Sequence, residues 1–412
     1  MKTEASRNQV DIFSGVSRRL QMTESIDMTI QSMKAYGPDH DHWVITWSGG
    51  KDSSATVSLI IYLIDSGKLK APKRLTVLLA DTRMELPPLA IAATQIAEEL
   101  EERGIEFKRV MAETDKRFLV YMLGRGVPPP NNGTMRWCTR QIKMDPMEAA
   151  LEQLCDESGK ILTITGVRQG ESAIRDSRIM MSCGKDGAEC GQGWFQEALP
   201  NAKGLKGRIN TLAPILHWRV CHVWEWLKHW APEFEFGDWS TAAIADAYGG
   251  DEAEEVNART GCTGCPLAQE DKALKTIIQS PRWTYLKPLL GLSDLYEALR
   301  RPENRLRQPA GKTKKDGTLA KGQQRMGPLT MDARLWALDE VCRIQDQVND
   351  QAQRSGRPEI DILNDDEKTR ILELINENTW PEGWDGSEPV ASIPHHRMFD
   401  DGVTLEDMFV GQ

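Results

Sequence analysis

Between a run of β-branched and aromatic residues and a run of aliphatic ones, the chain reads Ser48-Gly49-Gly50-Lys51-Asp52-Ser53-Ser54. Few folds accept such a stretch. Trp43-Val44-Ile45-Thr46-Trp47 has the composition of a short buried strand. Ala55, Leu59, Ile60 and Leu63 recur at helical spacing, so the strand is predicted to pass through the loop into a helix. The first N–H groups of a helix lack intrahelical partners and sit at the positive end of its dipole, a setting that suits an anion. Gly49 and Gly50 let the backbone approach that anion, and Lys51 adds a full charge. The prediction is a phosphate cradle over 48–53. It is not the G-x-x-x-x-G-K-[ST] loop, because Lys51 follows Gly49-Gly50 with no four-residue arch.

Similar alternation continues downstream. Residues 23–36 read as an amphipathic helix, 75–80 as a second strand, and 87–103 as a helix stopped by Gly104. A third strand falls near 107–110, a helix over 138–154, and further strands over 161–165 and 211–215. Strands alternating with helices imply parallel βαβ units, hence an α/β fold with a doubly wound parallel sheet. Ligands of such sheets bind at the carboxyl ends of the strands. The cradle, Asp81 and Gly166-Val167-Arg168 all follow strands, so one crevice is expected to collect them. Asp81 is a candidate magnesium or nucleotide contact, with Glu85 behind it. Arg168, Arg175 and Arg178 are candidates to fork onto phosphate or sulfate oxygens.

The chain has 412 residues and a net charge of −10, and no apolar run in it reaches the eighteen or so residues that span a bilayer. With a polar start, MKTEASRNQVDIF, the expectation is a cytoplasmic protein without membrane contact, whose eight cysteines are reduced, metal-bound or catalytic. Cys262-Thr263-Gly264-Cys265 is a C-x-x-C, a spacing that lets two sulfurs face one centre and that serves zinc, iron–sulfur clusters and redox disulfides alike. Cys155, Cys221 and Cys342 lie in apolar helical patterns and are expected to be buried and inert. The five tryptophans at 218, 224, 226, 230 and 239 are expected to pack the core. The stretch 300–325 carries nine basic residues against Glu303 and Asp316, broken by glycine, proline and glutamine. It is predicted to be a flexible arm able to follow a phosphate backbone. Helices are expected over 331–353 and 365–377, then an irregular tail in which His395 and His396 are surface residues.

Ser48-Gly49-Gly50-Lys51-Asp52-Ser53 resembles the PP-motif of the ATP pyrophosphatase family, whose members include sulfonucleotide reductases, RNA thiolation enzymes and the DndC/SspD proteins of DNA phosphorothioation. The segment RWCTRQIK around Cys138 is similar to the cysteine-pair segment of cluster-bearing sulfonucleotide reductases, with Trp137 in place of the first cysteine. Arg168 lies in a G-x-R-x-x-E-S-x-x-R segment similar to theirs. The resemblance spans about 40–300 and, with the late C-x-x-C, looks closest to DndC/SspD. It implies an adenine nucleotide alpha hydrolase-like sheet, an iron–sulfur region and a helical C-terminal region. The implied division is 1–40 helical, 41–240 PP-loop domain, 241–300 cysteine motif, 301–327 basic arm and 328–412 helical region with tail.

The implied activity is ATP cleavage that adenylates a DNA backbone phosphate for sulfur incorporation. Ser48, Gly49, Gly50, Lys51, Asp52, Ser53, Arg168 and Arg178 would bind ATP, and Lys51, Asp52, Asp81 and Arg168 would act in catalysis, with Asp52 or Asp81 on Mg2+. Cys138, Cys190, Cys262 and Cys265 would hold a [4Fe-4S] cluster, with Cys183 as the alternative fourth ligand or as a persulfide carrier. DNA, a cysteine desulfurase and other phosphorothioation proteins are the implied partners. The runner-up activities are a sulfonucleotide reductase, against which stands a tail from Pro381 without cysteine, and a DNA-binding subunit that holds ATP without splitting it.

Overall fold

The computed structural model describes residues 20–133, 135–169, 194–196, 203–248, 261–308, 317–318 and 325–392. Arg175, Arg178, Cys183, Cys190, His395, His396 and most of the basic stretch lie outside the described residues. The chain divides into two compact units. The first takes the residues up to 80 with 89–109 and 148–257, and the second takes 81–88, 110–147 and those from 258 onward.

The first unit is built on a sheet of β1 (His42–Trp47), β2 (Arg74–Asp81), β3 (Glu106–Met111), β4 (Ile161–Thr165), β5 (Trp194–Gln196) and β6 (Ile209–Ala213). The strand order is β3-β2-β1-β4-β6-β5. β1 pairs in parallel with β2 and β4, and β4 in parallel with β6. β5 runs antiparallel to β6, an edge that the expected all-parallel sheet lacked. β1 is buried at five of its six positions, as a central strand covered on both faces must be. β6 begins two residues before its predicted start, and it ends at Ala213 because Pro214 has no N–H to give the ladder.

Helix α1 (Met22–Tyr36), α2 (Lys51–Asp65) and α3 (Pro87–Glu102) match the sequence reading. The helix expected over 138–154 starts instead with a wide π turn, Thr139–Met144, and becomes α4 only at Asp145–Ser158. Pro146 explains the break: it cannot donate back one turn, but it is tolerated at a helix start. Trp218, Trp224, Trp226 and Trp239 are core residues, whereas Trp230 is half-buried. No helix among the described residues is long and apolar enough to cross a membrane.

The second unit is mainly helical. Its two longest helices, Met331–Ser355 and Asp365–Asn376, start where Thr330 and Asn364 accept backbone N–H groups. Arg334 is fully buried and donates to the carbonyls of Leu123, Gly124 and Thr379. Glu367, also buried, receives Arg117 at 3.1 Å and Arg83 at 3.5 Å. β7 (Arg305–Arg307) and β8 (Met326–Leu329) pair antiparallel, so the two ends of the basic stretch are tied together. Three of its arginines are committed to the fold. Arg300 donates to Pro130 and Pro266, Arg305 to Gly327, and Arg307 to Ala391.

Candidate functional site

The cradle forms where the chain order of the sheet reverses. From β1 the chain moves outward through β2 and β3, then returns to β4 on the other side of β1. The loops after β1 and β4 therefore share one switch point, where open α/β sheets bind ligands. Gly49 takes a left-handed conformation at φ 71°, and α2 starts at Lys51 with Gly50 as its N-cap. Trp47 Nε1 donates to Ser54 Oγ at 2.8 Å, and Ser53 Oγ donates to the Gly50 carbonyl at 3.0 Å while accepting the Ser48 N–H at 3.2 Å. The loop thus holds its own shape.

Lys51 Nζ lies 3.1 Å from Asp52 Oδ2, and Arg168 Nε lies 2.5 Å from Asp52 Oδ1. Arg168 is buried and also donates to the Trp218 carbonyl at 3.3 Å. Two cations thus share one carboxylate at the positive end of a helix. The approach is close: a Cβ on Gly166 would stand 2.7 Å from the Ser53 nitrogen and 2.8 Å from the Asp52 carbonyl oxygen. Tyr248 completes the group. Its hydroxyl oxygen accepts the Lys51 N–H at 3.2 Å, and its ring centre lies 5.5 Å from Lys51 Nζ. No local pattern marks Tyr248, which meets the cradle from 197 residues away in the chain.

A thiol centre occupies the second unit. Cys262 and Cys265 close a tight turn, with the Cys265 N–H donating to the Cys262 carbonyl at 3.1 Å. Thr263 between them donates its N–H to the Met84 carbonyl at 2.7 Å and its hydroxyl to the Glu85 carbonyl at 2.9 Å. Cys138 stands at the start of the π turn. Trp137 beside it packs on Phe118 and Tyr121 and donates to Pro128, so at this position an aromatic anchor replaces a thiol. Asn132 donates to the Leu267 carbonyl at 2.7 Å, which ties the loop before Cys138 to the one after Cys265.

Burial pushes the Cys262 thiol up to about 12, and the neighbouring Cys265, Glu85 and Cys138 push the same way. Burial also raises Cys138, with Cys265 adding to it. Among the described residues, however, no three His, Cys, Asp or Glu side chains close into a metal-holding set. The donor chemistry fits a sulfur-ligated group, and two buried donors beside it, Tyr296 Oη and Arg300 Nε, lack partners among the described residues. Cys155 is buried as expected, whereas Cys221 and Cys342 are only half-buried.

Asp81 ends β2, and its Oδ1 accepts the Arg83 N–H at 2.9 Å. Glu85 accepts the Thr82 N–H and hydroxyl at 3.1 and 2.6 Å, a local loop closure. The structure therefore gathers Ser48 to Ser53 with Arg168 in one unit, and Cys138, Cys262 and Cys265 in the other, which also holds Asp81.

Residues 42–231 match the phosphoadenosine phosphosulfate reductase domain. No protein of curated function matches the sequence. Among solved structures, the chain is similar to phosphoadenylyl-sulfate (PAPS) reductase from Candida auris in a phosphate complex, at 11% identity over 52% of this chain and 88% of that one, TM-score 0.32. It is also similar to the U34-tRNA thiolase NcsA from Methanococcus maripaludis with its [4Fe-4S] cluster, at 16% identity over 68% and 82%, TM-score 0.31. A third is FMN adenylyltransferase from Candida glabrata with FMN and AMPCPP, at 15% identity over 50% and 55%, TM-score 0.31. Likenesses this loose carry no functional weight.

Proposed function

We propose that the chain is an ATP pyrophosphatase that adenylates a DNA backbone phosphate so that sulfur can replace a non-bridging oxygen. The observation that supports it most is the Lys51–Asp52–Arg168 group at the start of α2, where two cations are held ready by one carboxylate. A polyphosphate carries more negative charge than a carboxylate and competes for both. Lys51 and the first amides of α2 hold the β- and γ-phosphates. Arg168 steers the α-phosphate. A non-bridging oxygen of the DNA phosphate forms a bond to the α-phosphorus, the bond to the α–β bridging oxygen breaks, and pyrophosphate leaves with the electron pair. Lys51 stabilises the charge that builds on that leaving group.

Asp52 is engaged at both oxygens by cations and serves as organiser, while Asp81 is the carboxylate assigned to Mg2+. Arg178 stays a proposed ATP contact. Cys138, Cys262 and Cys265 would hold a [4Fe-4S] cluster with Cys190 as the fourth thiolate, or Cys183 in its place. When bound, such a group supplies a soft, electron-rich centre for sulfur chemistry. The sulfur would arrive as a persulfide from a cysteine desulfurase, alongside the other phosphorothioation proteins.

The test is pyrophosphate release from ATP with and without DNA. The proposal expects release that DNA stimulates, and sulfur in the DNA product when a persulfide donor is present. ATP binding without release leaves only a nucleotide-binding subunit. The DNA contact is assigned to the basic stretch. Neutralising Lys312, Lys314 and Lys315 should therefore flatten the fall of log affinity with log salt by roughly one unit for each DNA phosphate no longer neutralised. An unchanged slope removes the arm.

A further inference from the structure

Two hydrogen-bond donors beside the C-x-x-C turn are buried without partners among the described residues, the Tyr296 hydroxyl and the Arg300 Nε–H. Tyr296 is only 1% exposed. A buried hydroxyl without a partner costs roughly 1–3 kcal/mol, and a charged donor more. Two such costs at one place call for an acceptor.

Both residues border the C-x-x-C turn. Gly264, between Thr263 and Cys265, takes a left-handed conformation at φ 61° and lies against the helix Gly291–Ala298. A Cβ there would stand 2.6 Å from Leu292 Cβ and 3.4 Å from the edge of the Tyr296 ring. The turn is therefore seated on the face that carries Tyr296. Arg300 follows four residues on, in a turn that prolongs that helix, with its N–H donating to the Glu297 carbonyl at 3.1 Å. Residues four apart share a helix face.

The other end of Arg300 is already employed. Its Nη2 donates at 2.5 Å to the carbonyls of Pro130 and Pro266, the latter directly after Cys265. Arg300 therefore braces the loops on either side of the centre and still has Nε to give.

We propose that Tyr296 and Arg300 are positioning residues that donate hydrogen bonds to the sulfurs of the group held by Cys138, Cys262 and Cys265, and so set its reduction potential. This rests on the cluster reading above. No local pattern ties either residue to the cysteines, and neither would be a ligand. Donors to sulfur stabilise the reduced, more negative form of an iron–sulfur centre more than the oxidised form, so losing one lowers the potential.

The experiment uses the full chain purified anaerobically, as wild type, Tyr296→Phe and Arg300→Lys. Iron and sulfide per chain are measured first, then the midpoint potential by redox titration followed by EPR. Tyr296→Phe keeps the ring and should keep the iron, while the reduced-to-oxidised ratio at a fixed potential falls roughly tenfold, about 59 mV for one electron. Arg300→Lys keeps the charge but loses Nε, and should shift the potential in the same direction. Iron retained in Tyr296→Phe with an unmoved potential overturns the assignment. Iron-free wild-type protein overturns the cluster reading as well, so the two failures are distinguishable. Should Arg300→Lys fail to fold, Tyr296→Phe alone decides.

Discussion

The cradle and the thiol centre treat their polar groups in opposite ways. At the cradle, Lys51 and Arg168 are each paired with Asp52, and the Lys51 N–H rests on Tyr248. At the thiol centre, burial raises the Cys262 and Cys138 thiols, and Tyr296 and Arg300 keep buried donors without partners among the described residues. A site whose charges are satisfied internally can release its ligand and remain folded, which a nucleotide-turnover site requires. The first pattern suits exchange and the second suits residence, as proposed above for the nucleotide and the cluster.

The largest expected effect breaks the exchange site. Lys51→Ala should lower pyrophosphate release about 100-fold or more, as removal of one preorganised donor does elsewhere, with an unchanged thermal melt. Full activity in that variant would remove the cradle from catalysis.

Next comes the residence site. If the proposed cluster is present, anaerobically purified wild-type chain should carry iron and Cys262→Ser should lose it, while ATP binding persists. One zinc and no iron in the wild-type protein would turn the cysteines into a structural clamp.

Asp52→Asn sharpens the contrast, because it removes the stand-in anion from between two cations. Leaving Arg168 buried without that carboxylate should cost about 2–3 kcal/mol by urea denaturation, discounted because Asp52 is partly exposed. Pyrophosphate should then raise the melting temperature of the variant more than that of the wild type. An equal rise would mean that Asp52 does not compete with the ligand.

Gly166→Ala should be milder, about 1–3 kcal/mol, as overpacking typically is. Its Cβ would press on the Asp52–Ser53 backbone, so ATP affinity should fall along with stability.

The effects of pH divide by unit. Burial holds His42 and His217 at about 4 in the first unit, with the Arg74 charge adding to the effect on His42. The unfolded chain then binds more protons than the folded one between about 6.5 and 4. Stability is full above that window and falls as pH drops through it. Cys262 in the second unit is raised, so in metal-free protein its contribution is full below about 8.5–9 and is lost as pH climbs toward 12. Urea midpoints across both windows check the two signs, and His42→Gln should blunt the acid limb.

Much of the sheet was legible because its signals are local. The strand run at 43–47, the Gly49-Gly50 turn and the aliphatic spacing of α2 specify a strand, loop and helix without distant help. The N-caps Thr330 and Asn364 likewise fall where the two late helices were expected to begin. The π turn at Thr139–Met144 and the antiparallel β5 were not legible, since a three-residue edge strand and a widened helical turn have no periodicity of their own. The basic stretch misled in part. Arg300, Arg305 and Arg307 count as charges in a sequence but serve as carbonyl clamps in the fold.

Neighbouring residues alone specify the glycine loop at the start of α2, the α/β alternation and the C-x-x-C, because the backbone needs of each are satisfied nearby. It took the folded chain to bring Arg168 to Asp52, to lay Tyr248 on Lys51, and to hang the cysteine turn from Met84 and Glu85 through Thr263. Those pairings join residues 116, 197 and 178 positions apart in the cases of Arg168, Tyr248 and Thr263. Their partners are chosen by which strands lie side by side and which loops they bring together. That choice follows from burying the whole apolar surface at once, and no local run of residues records it.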